Sequence, residues 1–152
     1  MKTLANPKDR DEILQRLSAI APSSQRRWGK MSAVQMICHL CDALRVSIGE
    51  IEAKPADTFL SRTMLRWAAL WVPAQWPHGV RTVPECEQGL GGTPPGQFES
   101  DLIELRRLLD RFTEQPRSFE WQAHPIFGPL SDREWLRWGY LHMDHHLRQF
   151  GA

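Results

Sequence analysis

The chain has few cysteines and no long apolar run, and each shortage excludes a class of protein. Three cysteines in 152 residues is an odd number that frames no disulfide scaffold, so we expect reduced thiols and a cytoplasmic protein. The most apolar stretch, residues 64–72, contains Arg66 and is too short to span a bilayer. The first residues hold no apolar signal-peptide core. We therefore expect no membrane partner.

The chain also lacks an excess of charge of either sign. Its net charge is +1, and the short Gln25-Arg26-Arg27 stretch is weaker than a nucleic-acid footprint requires. Hydrophobic residues make up 41% and charged residues 24%, which is ordinary globular composition. We expect one globular domain over residues 1–152 that binds no nucleic acid.

Convincing strand alternation is absent, and helical spacing takes its place. Helices are predicted over 8–20, 32–49, 57–71, 97–114 and 131–150. Ser32 with Gln35, and Ser131 with Glu134, have the spacing of capping boxes that start the second and the last of these helices. Residues 73–95 form a long loop rich in proline and glycine, and a loop this long is usually functional or mobile. We expect an all-α protein, a four-helix bundle with one extra helix.

Apolar residues mark the faces of these helices. The first helix has an inward stripe, and so does the fourth; the third helix keeps the same spacing, and its Trp67 and Trp71 either pack it or form a dimer surface. The stripe of the first helix is Ile13, Leu14, Leu17 and Ile20, and that of the fourth is Leu102, Leu105, Leu108, Leu109 and Phe112. The residues of the third helix with this spacing are Leu60, Met64, Trp67, Ala68 and Trp71.

Three of the six histidines lie within five residues of the last helix. His142 and His146 are four apart, so a helix stacks them on one face, which they share with Trp135, Trp138, Gly139 and Gln149. His145 is rotated by about 60° and is expected to be a neighbour rather than a ligand. His39 lies on the second helix.

The heights of these histidines match if the second and last helices are antiparallel. His39 and His142 then both lie about 16 Å from the end at which the last helix begins. Three neutral imidazoles suit a transition metal, and three protein ligands leave an open position, as in catalytic sites. Asp42 is expected to hold the second nitrogen of His39 or a bound water, and Gln149 has the same role on the last helix.

Four pieces of the chain carry a family resemblance. They are Trp28-x-x-Met31-Ser-x-x-Gln35-Met-x-x-His39-Leu40, His124-Pro-x-Phe127-Gly128, Trp135, and His142-x-x-His145-His146-x-x-Gln149-Phe150-Gly151. Together they cover about a third of the chain and resemble the DinB/YfiT-like superfamily of metalloenzymes, specifically its small uncharacterised branch. Residues 51–119 match only in helical character.

The resemblance implies a fold, a cofactor and a range of reactions. It implies a four-helix bundle, often a homodimer, with a divalent metal, zinc or nickel, on His39, His142 and His146. Similar proteins are metal-dependent hydrolases or thiol-dependent transferases, so the implied partners are a small-molecule substrate and a low-molecular-weight thiol. The alternative is a non-catalytic bundle, ligand-binding or structural, in which these histidines satisfy one another and Asp42.

The cysteines support a third hypothesis, a dithiol redox protein using Cys38 and Cys41. Both lie inside a helix on its apolar face with no preceding strand, so core packing is the prediction for them. Cys86, in the long loop, is expected to be accessible to solvent. His124 precedes a proline and is expected to fix its loop. His78 has no assigned role, while Trp76 and Trp121, also in loops, are expected to line a cleft.

Overall fold

The computed structural model describes residues 1–80 and 82–152, and this part of the chain is helical with no β-strand. Its helices are α1 (Pro7–Ser18), α2 (Ala33–Ser47), a π-helical segment (Ser61–Leu65) that continues into α3 (Arg66–Trp71), a 3-10 turn (Pro84–Cys86), α4 (Phe98–Thr113) and α5 (Asp132–Gln149). The all-α prediction is confirmed for these residues. None of their helices has both the length and the apolarity needed to cross a lipid bilayer.

The two helices that carry the histidines begin where their capping residues predict. The Ser32 hydroxyl accepts from the Gln35 amide, and the Gln35 side chain accepts from the Ser32 amide at 2.9 Å. Ser131 and Glu134 repeat this exchange at the start of α5. Each box satisfies backbone N–H groups that a helix start leaves without partners. Both predicted capping boxes are confirmed.

Helices α2 and α5 run antiparallel. The residues just before α2 contact the end of α5, where the Trp28 carbonyl accepts from Gln149 Nε2 at 2.9 Å. The end of α2 contacts the segment that precedes α5, because the Ser47 carbonyl accepts from the Gln122 amide at 3.0 Å. The arrangement that brings His39 to the level of His142 is therefore present.

Helix α1 lies parallel to α5. Leu4, just before α1, donates its amide to the Leu136 carbonyl early in α5, and Arg16 pairs with Asp144 late in α5 at 2.8 Å. Helix α2 lies parallel to α4, with contacts that join Cys38 to Asp101 and Arg45 to Glu104. The order of directions along the chain is up, down, down, up for α1, α2, α4 and α5.

The four long helices share one hydrophobic core. Its largest fully buried side chains are Ile13, Leu17, Met36, Ile37, Leu40, Leu70, Leu105, Leu108, Leu109, Phe112, Trp135 and Met143. The inward stripes predicted for the first and fourth helices are confirmed, with Leu14 and Leu102 partly buried at the edges. Trp135 lies edge-on to Trp138 and stacks on Trp121, so aromatic rings fill the core beside the start of α5.

The third helix presents its apolar residues to solvent. Phe59, Leu60 and Met64 on the turns before α3, with Trp67 on α3, are 85%, 59%, 70% and 63% exposed, and we call these four residues the α3 apolar face. Of the predicted stripe, Leu60, Met64 and Trp67 are thus exposed, whereas Trp71 is partly buried and packs against the core. Leu70 is buried instead. Helical spacing tells which residues share a face, but it does not tell whether another element covers that face.

Gly139 provides a test of the packing between α1, α4 and α5. A Cβ at this position would lie 2.8 Å from a Leu4 methyl and 2.9 Å from the Phe112 ring. If there were room for the added methyl group, replacing this glycine in a helix interior by alanine would stabilise the protein by about 1 kcal/mol. We expect a loss of about 1–3 kcal/mol in the free energy of unfolding, measured by urea denaturation, because a well-packed core resists added volume. A stabilised variant would contradict this packing.

Candidate metal centre

Three histidines from two helices converge at the centre of the molecule. His39 comes from α2, and His142 and His146 come from consecutive turns of α5. One ring nitrogen from each lies within 4.8 Å of the others, and Nε2 of His39 is 3.2 Å from Nε2 of His142. His39 and His146 are 3% and 8% exposed, while His142 is only partly buried. The cluster is thus open to solvent chiefly on the His142 side.

Hydrogen bonds at the outer nitrogens fix two of the rings. Nδ1 of His39 lies 2.9 Å from the Cys86 carbonyl, and Nδ1 of His146 lies 2.9 Å from Oε1 of Gln149. The amide of Gln149 is oriented by its second bond, because Nε2 donates to the Trp28 carbonyl. Both acceptors require an N–H at Nδ1, so Nε2 of each ring keeps its lone pair.

The surroundings favour the neutral form of all three rings. Burial is the main cause that lowers the pKa of His39, His142 and His146. The neighbouring histidines lower the pKa of His142 and His146 further, because like charges repel. A neutral imidazole with a free Nε2 is the form that ligates a metal.

The donor set fits a transition metal. Two nitrogens bound at 2.0–2.1 Å to one tetrahedral ion are about 3.3 Å apart, close to the 3.2 Å between His39 and His142. Three imidazoles without a carboxylate match zinc, nickel, iron or copper rather than magnesium or calcium. Among the described residues, no cysteine or carboxylate joins the group.

Asp42 does not hold His39. Its carboxylate accepts from the amide and the hydroxyl of Thr93, at 2.8 and 2.6 Å. The expected bond to His39 is wrong because the Cys86 carbonyl already accepts from the only outer nitrogen of that ring. Asp42 instead anchors the end of the long loop that brings Cys86 to His39. Sequence spacing cannot predict this role of Cys86, because a backbone carbonyl leaves no signature in side-chain type.

Aromatic rings surround His145 at the rim of the cluster. His145 is partly exposed and lies edge-on to His146 with centroids 5.2 Å apart. Its Nδ1 has no hydrogen-bond partner among the described residues, and burial lowers its pKa to about 4. His78 stacks on Trp28 at 4.0 Å, and Trp76 lies 6.1 Å from His145. The rim therefore joins the long loop to α5.

The three cysteines are buried thiols. Burial raises the pKa of Cys38, Cys41 and Cys86 to about 12, so none is a reactive thiolate at neutral pH. Cys38 and Cys41 contact Asp101 of α4, as core packing predicts. The expectation that Cys86 is accessible is wrong. Its side chain packs with Val46 and Val83 because the loop folds back on α2.

His124 fixes its loop, as expected. Its Nδ1 accepts from the amides of Ile126 and Phe127 at 3.1 and 3.2 Å, and burial lowers its pKa to about 3. Trp121 does not line the histidine cluster, because it stacks on Trp135 and donates to Asp132. Trp76, by contrast, lies 6.2 Å from His142.

Comparisons with known proteins identify a family without an assigned activity. A family model described as protein of unknown function (DUF1569) matches residues 4–152. No curated protein and no solved structure matches the chain.

The buried neutral histidines predict acid sensitivity of the metal-free protein. In the unfolded chain each of these histidines has a pKa of about 6.5. Below that pH the unfolded chain takes up protons, whereas the lowered pKa values keep the folded rings neutral at His39, His124, His142 and His146. The free energy of unfolding should therefore fall from pH 6.5 to 5, by up to about 1.4 kcal/mol per pH unit for each histidine. Urea denaturation in chelator measures this slope.

Two variants control the acid-sensitivity measurement. His124→Asn should reduce the slope by about one proton, since it removes one buried histidine. His78→Asn, which removes an exposed histidine, should leave it unchanged. A free energy of unfolding that stays constant from pH 7 to 5 would show that these rings are not held neutral.

Proposed function

The chain belongs to the family described as protein of unknown function (DUF1569), and we propose that it is a metal-dependent enzyme acting on a small molecule. His39, His142 and His146 hold a divalent transition metal, zinc or nickel. The reaction is hydrolysis or the transfer of a low-molecular-weight thiol. The observation that carries the proposal is the meeting of one ring nitrogen from each of three histidines, two of which are oriented by hydrogen bonds at Nδ1.

The order of the helices supports a four-helix bundle of DinB/YfiT type. The directions of α1, α2, α4 and α5 and their common core fit such a bundle, with α3 as the additional helix. The three proposed ligands then lie on the facing sides of two antiparallel helices, where bundles build metal sites.

A metal held there supplies Lewis acidity that makes water or a thiol nucleophilic at neutral pH. The chain's own residues orient the ligands and limit access. Trp138 stacks on His142 with centroids 4.8 Å apart and so restricts the tilt of this ring. Because His39 and His146 are nearly fully buried, a substrate approaches from the side of His142, past Trp76.

A second candidate is a non-catalytic bundle, and one contact favours it. At 3.2 Å, Nε2 of His142 is close enough to donate a hydrogen bond to Nε2 of His39 without any metal. In that case the cluster only satisfies buried polar groups. Metal binding separates the two candidates.

We expect one equivalent of zinc or nickel per chain in protein purified without a metal-affinity tag and reloaded after chelation. His142→Ala should abolish this binding, because two imidazoles remain. Gln149→Ala should weaken it by about 10–100-fold, because it removes the acceptor that orients His146. Elemental analysis and competition with a chromogenic chelator measure stoichiometry and affinity.

The matched control is His78→Ala, which removes a histidine outside the cluster and should keep full stoichiometry. Less than about a tenth of an equivalent in the reloaded wild-type protein would favour the non-catalytic bundle. Hydrolysis of activated esters and thiol transfer to electrophiles should both be assayed. Activity retained by metal-free His142→Ala would end the enzymatic proposal.

We also propose a cytoplasmic homodimer. Three free, buried cysteines support a reducing compartment. The α3 apolar face supports the dimer, because its large apolar side chains are exposed on consecutive turns of one helical segment, and exposed apolar patches mark interaction surfaces.

Charged residues introduced into the α3 apolar face should dissociate the dimer into monomers. The double variant Met64→Lys and Trp67→Lys should sediment as a monomer in analytical ultracentrifugation, because lysines cannot be buried against a second apolar face. Ile103→Lys, which changes an apolar residue 68% exposed on α4, should leave the dimer intact. A wild-type monomer at micromolar concentrations would contradict the dimer.

A further inference from the structure

A cleft of about 600 Å³ lies beside the first turns of α5, away from the histidines. Arg133 and Arg137 line it from α5, with Trp71 from the end of α3 and Thr3 from the N-terminal segment. Arg137 precedes His142 by five residues, which is about 8 Å along the helix and about 140° around it. The cleft therefore opens on a different face from the candidate metal centre.

Arg137 is a buried cation that forms no salt bridge among the described residues. It is 8% exposed, and it donates Nε to the Leu70 carbonyl at 3.0 Å and Nη1 to the Lys2 carbonyl. Among the described residues, Nη2 donates no hydrogen bond and no carboxylate forms a salt bridge with this guanidinium, although Asp9 and Asp144 act on it from a greater distance. Arginine is rarely this buried unless it is paired, because a desolvated charge is costly. Burial accordingly lowers the pKa of Arg137.

Arg133 adds a second unpaired cation at the rim. Its guanidinium lies 4.8 Å from the centre of the Trp71 ring, which holds it in place. The acidic residues beside it are engaged elsewhere, since Asp132 pairs with Arg117 and Glu134 with Arg66. The positive end of the α5 dipole lies on the same side. Two cations and a helix start thus face one cleft that has no carboxylate among its lining residues.

We infer that this cleft binds a small carboxylate with an apolar body. A guanidinium presents a planar pair of donors that matches a carboxylate. The rest of the lining suits the apolar part, because Trp71, Leu136 and Ala5 contribute ring and aliphatic surface. The site is separate from the proposed metal centre and does not depend on it.

Calorimetric titration with octanoate tests this inference on protein that keeps residues 1–5 intact, because Thr3 and Ala5 line the cleft. Octanoate should bind at least about tenfold more tightly than octanol, its neutral counterpart, since a charge-assisted hydrogen bond contributes about 1.5–3 kcal/mol. Arg133→Gln should weaken octanoate binding by about tenfold. Arg107→Gln removes an exposed cation from α4 and should have no effect.

Arg137→Gln should abolish octanoate binding if the variant folds. If it does not, changes in the side-chain NMR signals of Arg137 and Trp71 in the wild-type protein locate the ligand. His142→Ala should bind octanoate like the wild type, which keeps this test independent of the metal. Equal affinity for octanol, or for inorganic phosphate, or an equal loss in Arg107→Gln, would overturn the inference.

Discussion

The centre of this protein depends on the hydrogen bonds that satisfy the outer nitrogens of two buried imidazoles. A buried ring nitrogen without a partner is costly, so His39 needs the Cys86 carbonyl and His146 needs Gln149. The first bond requires the long loop to return to α2, where Asp42 holds its far end through Thr93. The second ties the end of α5 to the segment before α2 through Trp28. With these bonds made, both rings present free lone pairs inward.

Helix α5 has a different chemical character at each end. Its later turns carry neutral histidines inside the core, where burial suppresses protonation. Its first turns carry two arginines, one of them buried, and neither forms a salt bridge among the described residues. Because 3.6 residues complete a turn, the two groups face different directions. The proposed metal site and the proposed carboxylate site therefore lie on different faces of one helix.

Local patterns predicted the helices and the convergence of the histidines. Capping residues give helix starts, and with the rise per residue they give the heights of His39 and His142. What these patterns missed or left open depends on tertiary contacts. The Cys86 carbonyl displaces Asp42, the returning loop buries the Cys86 thiol, and nothing among the described residues covers the α3 apolar face. Spacing along one helix carries no information about which loop or second chain lies against it.

X-ray absorption spectroscopy of the zinc-loaded protein tests the central claim most directly. We expect a first shell of nitrogen and oxygen at about 2.0–2.1 Å, with outer-shell scattering from three imidazoles. In His142→Ala, that pattern should disappear. Sulfur at about 2.3 Å would place the metal on Cys38 or Cys41, and scattering from fewer than three imidazoles would contradict a site built from His39, His142 and His146.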